Sequence, residues 1–94
     1  MKLEVVFQIS GTITYPVAAG RITSQIPTFY LDADVQGILT CEHAAKVASR
    51  LLNLPGTPSV ELSLYVTRFR RSVEVLLEWG QPEFFCFGEK NENG

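Results

Sequence analysis

The chain of 94 residues has one histidine, two cysteines and no apolar run approaching the roughly 18 to 20 residues that a membrane-crossing helix needs. One histidine leaves a catalytic thiol or hydroxyl with a single imidazole to call on, and leaves zinc short of ligands, since it wants three or four soft or imidazole donors. Cys41 and Cys86 stand 45 positions apart with no CxxC, so they frame neither a disulfide scaffold nor a thiol redox motif. A single Cys41–Cys86 bridge stays open. No Gly-rich phosphate loop, GxSxG or HExxH occurs. The opening MKLEVVFQIS carries Glu4 and Gln8 inside its apolar run with no small-residue cleavage site after it, so no secretory signal is expected.

An excess of one charge is also missing. Through residue 82, seven basic residues (Lys2, Arg21, Lys46, Arg50, Arg68, Arg70, Arg71) balance seven acids (Glu4, Asp32, Asp34, Glu42, Glu61, Glu74, Glu78). The net charge of -2 arises at the C-terminus, where Glu83, Glu89 and Glu92 face Lys90. Dedicated nucleic-acid binders usually carry a clearly basic surface, which this balance does not supply. The expectation is a reduced, cytoplasmic protein.

What is present is globular. Hydrophobic residues make up 46% of the chain and charged residues 19%, and the length suits one domain. Leu3, Val5, Phe7, Ile9, Ile13 and Tyr15 alternate with Lys2, Glu4, Gln8, Ser10, Thr12 and Thr14, the period of a half-buried strand. Gly11 falls on the apolar side and marks a bend or a close neighbour. Tyr15 to Gly20 reads as a turn, and 21–31 as a second strand whose apolar residues keep no single register. Pro27 sends that strand to an edge or bends it. Asp32 to Leu39 reads as a loop.

A helix starts at Thr40, a good N-cap, with Glu42 in its first turn. Ala44, Val47, Ala48 and Leu51 form its inner face with Leu52 beside them; His43, Lys46, Arg50 and Asn53 form the outer one. Pro55-Gly56-Thr57-Pro58 ends it. Val60, Leu62, Leu64 and Val66 alternate with Glu61, Ser63, Tyr65 and Thr67. Val73, Val75, Leu77 and Trp79 follow in a further strand, and Phe84 to Phe87 make a short last one. The fold class is therefore α+β, a four- to five-stranded mostly antiparallel sheet with one α-helix on one face, in the order β-β-α-β-β(-β). Residues 1–88 form the domain and 89–94 a disordered tail.

Five strands make a sheet about 24 Å wide, and one helix about 10 Å across covers less than half of it. A second copy of the chain is the commonest cover, which predicts a homodimer. A sheet edge and the uncovered face are both available for it.

Cys41-Glu42-His43 is the one stretch that resembles chemistry. On a helix Cys41 and His43 point about 200° apart, so they form no dyad, and neither catalysis nor a metal is expected there. Arg68, Arg70 and Arg71, at the connection between two strands near Tyr65 and Phe69, combine cations with aromatics as nucleic-acid surfaces do. His43, Lys46 and Arg50 line the helix's solvent face. Ser10, Thr12, Thr14, Ser63, Tyr65 and Thr67 make a hydroxyl-rich sheet face able to dock a protein. Asp32 and Asp34 read as turn residues. The function expected is a non-enzymatic, cofactor-free protein-interaction module acting as a homodimer. The alternative is a shape-selective nucleic-acid binder using the three arginines.

Overall fold

The structure is a computed structural model that describes residues 4–53, 60–72, 76–78 and 80–88. Leu3, the helix-ending segment 55–58, Val73, Val75, Trp79 and the expected tail at 89–94 lie outside the described residues.

The first alternating segment is β1 (Glu4–Val17), and it pairs antiparallel with β2 (Gly20–Asp32) through the two-residue turn Ala18-Ala19. The hairpin is longer than its sequence suggests because Pro16 lies within β1 rather than in the turn. Val17 and Gly20 close a two-residue turn and so form a hydrogen-bonded pair, which turns the backbone of residue 16 away from β2. On that other side β3 (Glu61–Arg71) pairs with β1 only as far as Thr14↔Glu61. The N–H that proline lacks therefore has no ladder to join.

β2 is an edge strand and it also bends at Pro27. Ile9 pairs with Phe29 and Gly11 with Ile26, so Ser10 alone faces Pro27 and Thr28. This two-against-one bulge is what puts Ile26, Phe29 and Leu31 on one face despite their uneven spacing.

Residues 32–39 do not form a plain loop. Ala33–Gln36 make one helical turn, α1. Asp32 caps it by accepting from the N–H groups of Asp34 and Val35, and Gly37 ends it in the left-handed conformation at φ 65°. The main helix, α2 (Cys41–Leu52), starts as expected, with Thr40 Oγ1 accepting from His43 N–H at 3.0 Å. Its inner face is Cys41, Ala44, Ala45 and Ala48, with Leu52 partly buried behind them. Leu51, assigned to that face from spacing, is 55% exposed. Leu51 shares its side of the helix with the fully buried Ala44, two turns earlier, and is exposed in the last turn of α2.

β3 is the central strand after β1; β4 (Leu76–Glu78) and β5 (Glu83–Phe87) follow it. The sheet order is β2-β1-β3-β4, and β5 also pairs with β3. β4 takes the Phe69–Arg71 end of β3 and β5 the Leu62–Val66 end, so the two share one side of it. All ladders are antiparallel. Phe7, Ile9, Leu62, Leu64 and Val66 meet the three alanines of α2 in a single core, with Phe85 and Phe87 packed against it. Alanine at those positions lets the helix lie close to the sheet. The α+β architecture expected from the sequence is the one observed.

Candidate functional site

Residues directly opposite each other in a ladder share a face, so the register assigns every strand residue to one side of the sheet. Phe7, Ile9, Leu64 and Phe85 fall on the helix side. Val6↔Phe69, Gln8↔Tyr30, Ser10↔Tyr65 and Tyr65↔Phe84 fall on the other. No helix among the described residues covers that second face.

Four aromatic rings from β2, β3 and β5 stand on it. Tyr65 and Phe84 lie 4.8 Å apart between ring centroids at a tilt of 44°, and Tyr30 meets Phe69 edge-on at 6.4 Å. Gln8 Nε2 donates to the Tyr30 hydroxyl at 2.9 Å, which fixes the tyrosine's direction. Thr67, between the two pairs on β3, and Val6, opposite Phe69, are buried. Tyr65 and Phe84 stay about half exposed, at 50% and 51%. The expected hydroxyl-rich residues Ser10, Thr12, Thr14, Ser63, Tyr65 and Thr67 do share this face.

The cations on this face among the described residues are drawn into pairs at its two ends. Arg71 donates to Glu4 Oε1 at 3.1 Å and lies 3.8 Å from Asp32 Oδ2. Arg21 pairs across β1 with Glu61. Thr14 and Thr23 hydroxyls bond at 2.8 Å between them.

The three arginines do not form one cluster, nor do they lie in a connection: all are within β3, whose pairing runs on to Glu4↔Arg71. Arg71 is on the open face with Tyr65. Arg68 and Arg70 pair with Phe7 and Val5 on the helix side. The Arg68 guanidinium lies 5.9 Å from the centre of the Phe7 ring. His43, Lys46 and Arg50 are on α2, where Lys46 pairs with Glu42 at 3.5 Å. The residues singled out in the sequence thus divide among three surfaces, and Tyr65 with Arg71 is the pair that the open face retains.

Cys41 is buried under the first turn of α2, next to the β5–β3 ladder. Burial pushes its thiol pKa up, the negative charge of Glu83 and a hydrogen bond to that carboxylate push the same way, and Arg68 opposes them. The thiol stays protonated at neutral pH, unlike an activated nucleophile. Cys86 is exposed, and Ser63↔Cys86 places it on the open face, so the two thiols are free and on opposite sides of the sheet. A thiol reagent at neutral pH should therefore modify Cys86 within minutes and Cys41 only as the chain unfolds. Equal rates, followed by mass spectrometry of the native protein, would contradict the buried, protonated thiol. Among the described residues no group of three His, Cys, Asp or Glu side chains is placed to hold a metal ion.

Sequence reasoning named Tyr65 and Phe69, as aromatics beside the arginines, but not Tyr30 or Phe84. That Phe69 shares a face with Tyr65 was also readable: continuing the alternation of β3 past Tyr65 and Thr67 puts it on their side. For Tyr30 and Phe84 it was not, since each assignment depends on a pairing register. Compared with known proteins, the chain matches no family model, no curated protein and no solved structure.

Proposed function

We propose that this chain is a protein-interaction module that works without catalysis, as a homodimer, and that it takes its protein partner on the open sheet face. The observation that carries the reading is the row of rings Tyr30, Phe69, Tyr65 and Phe84 on the side away from α2. Rigid aromatics bury large areas at low entropic cost, and tyrosine is over-represented among the residues that dominate binding energy. Self-association is supported by the outer edge of β2, which ends the sheet order and with which no described residue pairs. Among the described residues no helix is long and apolar enough to cross a membrane. The reading keeps the chain in the cytoplasm, and its two free cysteines are the support for that.

One observation favours a second reading. Rings standing on an open sheet also suit single-stranded nucleic acid, whose bases stack on them. The cations placed on this face among the described residues are Arg21 and Arg71, and each already faces carboxylates. A phosphate backbone draws its affinity from cations it can neutralise. The protein partner is the better fit.

The test compares the native chain with a Tyr65→Ser/Phe84→Ser double variant, both immobilised and exposed to the same cell extract, and titrates both with a mixed-sequence single-stranded oligonucleotide at low salt. A protein retained by the native chain and lost with the variant, with no oligonucleotide binding by either, is the expected result. An identical retained set would sink the face assignment. Oligonucleotide binding that the variant loses would put the second reading first.

A further inference from the structure

We infer that two copies of the chain meet along the outer edge of β2, from Ile22 to Ile26, paired antiparallel about a two-fold axis at Ser24. This deepens the homodimer reading and rests on it, while resting on geometry of its own. β2 ends the sheet order, and no described residue pairs with its outer side.

The phase of that edge follows from the turn. Because Val17↔Gly20 is a hydrogen-bonded pair, so are Tyr15↔Ile22, Ile13↔Ser24 and Gly11↔Ile26. The N–H and C=O groups of Ile22, Ser24 and Ile26 thus face β1. Those of Arg21, Thr23 and Gln25 point outward, ready for another strand.

Exposed edges are usually guarded by proline, bulges or charge. Here Pro27 and its bulge guard the second half of β2 only. The one charged side chain of the first half, Arg21, is drawn across the sheet to Glu61. Ile22 to Ile26 carries no charge, proline or bulge.

The segment I-T-S-Q-I is also self-complementary. With Ser24 opposite the partner's Ser24, Thr23 faces the partner's Gln25 and Ile22 faces the partner's Ile26. Polar meets polar and apolar meets apolar, as cross-strand pairs favour. Centring on Thr23 would set Ile22 against serine, and centring on Gln25 would set Thr23 against Pro27, which has no N–H to give. A slip that centres the axis between residues would turn Ile22 to the wrong face. About four backbone hydrogen bonds join Thr23 and Gln25 to the partner's Gln25 and Thr23.

The exposed Ile22, 44% open to solvent, gains a buried neighbour in the partner's Ile26. The axis is normal to the sheet, so both helices lie on one side. Both aromatic rows lie on the other, in a single surface of twice the width.

Ser24→Cys in a Cys86→Ser background tests the register. Ser24 opposite its own copy is a non-hydrogen-bonded pair, with Cα atoms about 4.5 Å apart, within disulfide range. Mild oxidation should convert most of the chain to a covalent dimer, whereas Gly20→Cys in the same background, whose copies are far apart, should stay uncrosslinked. Thr23→Pro removes an outward N–H without touching the β1 ladder. It should keep the native far-UV circular dichroism and give a one-chain mass. A native two-chain mass with no crosslink at position 24 would overturn the edge register and leave the homodimer standing. A native one-chain mass would overturn both.

Discussion

Gly11→Ala is expected to destabilise the chain by about 3 to 4 kcal/mol, at the upper end of single-residue effects. Gly11 is in the middle of β1, between two strands, with φ at +138°, a backbone conformation that side-chain-bearing residues rarely adopt. A Cβ added there would lie 1.9 Å from the Ser63 carbonyl oxygen of β3 and 3.1 Å from Leu64 Cα. Both obstacles are backbone, so no rotamer change relieves them. The alanine has to push β1 and β3 apart where the core side chains Ile9, Leu62 and Leu64 meet. Gly37→Ala is the internal comparison. Its φ is +65° and an added Cβ would meet nothing within 4 Å, so only the conformational cost of about 1 kcal/mol remains. Urea midpoints for the two variants check this; equal shifts would mean that the Gly11–Ser63 approach is not what glycine is there to permit.

Phe7→Ala should lower stability by about 3 to 5 kcal/mol, the usual range for emptying a large aromatic site. Phe7 is fully buried on β1, with Leu31 of β2 opposite on one side and Arg68 of β3 on the other. The sheet backbone cannot collapse into the space the ring leaves, because β1 is pinned by ladders on both sides. Arg68 loses the ring face beneath its guanidinium, which adds about 0.5 to 1 kcal/mol. Phe7→Leu separates the two effects by keeping most of the volume and removing the ring, and should recover more than half of the loss. Thermal or urea unfolding of both variants decides it, and a Phe7→Leu variant as unstable as Phe7→Ala would assign the effect to the ring rather than the cavity.

The strands with clean alternation were legible residue by residue. Phe7 and Ile9 in β1, and Leu62, Leu64 and Val66 in β3, are buried as their period requires, because they face α2; Val6 and Thr67, on the other face, are buried as well, which the alternation did not show. Thr40 capped the helix as its hydroxyl and the helix dipole demand. Elsewhere the pattern was blurred by particular residues. Pro16 suggested an early turn, but a proline is harmless where a strand edge has no partner. Asp32 and Gly37 are a start and a stop signal only four residues of helix apart, too short to show a periodicity. Leu51 keeps the spacing of the inner face, on the side of the buried Ala44, yet is exposed in the last turn of α2, which periodicity does not show. Arg68 and Arg70 occupy the inward parity of β3, and the Arg68 guanidinium lies over the buried Phe7 ring. That parity separates them from Arg71, which dispersed the arginine cluster over two faces. The aromatic row was the least legible feature. Its four rings come from three strands, and only the register of three ladders brings them together.

Light scattering of the purified native chain at tens of micromolar, with absorbance recorded at protein and nucleic-acid wavelengths, tests most directly the claim that this protein works by association rather than chemistry. A mass of two chains, twice 10.5 kDa, with a clean protein spectrum is the predicted result. A mass of one chain would contradict it, and co-eluting nucleic acid would transfer the open face to the other class of partner.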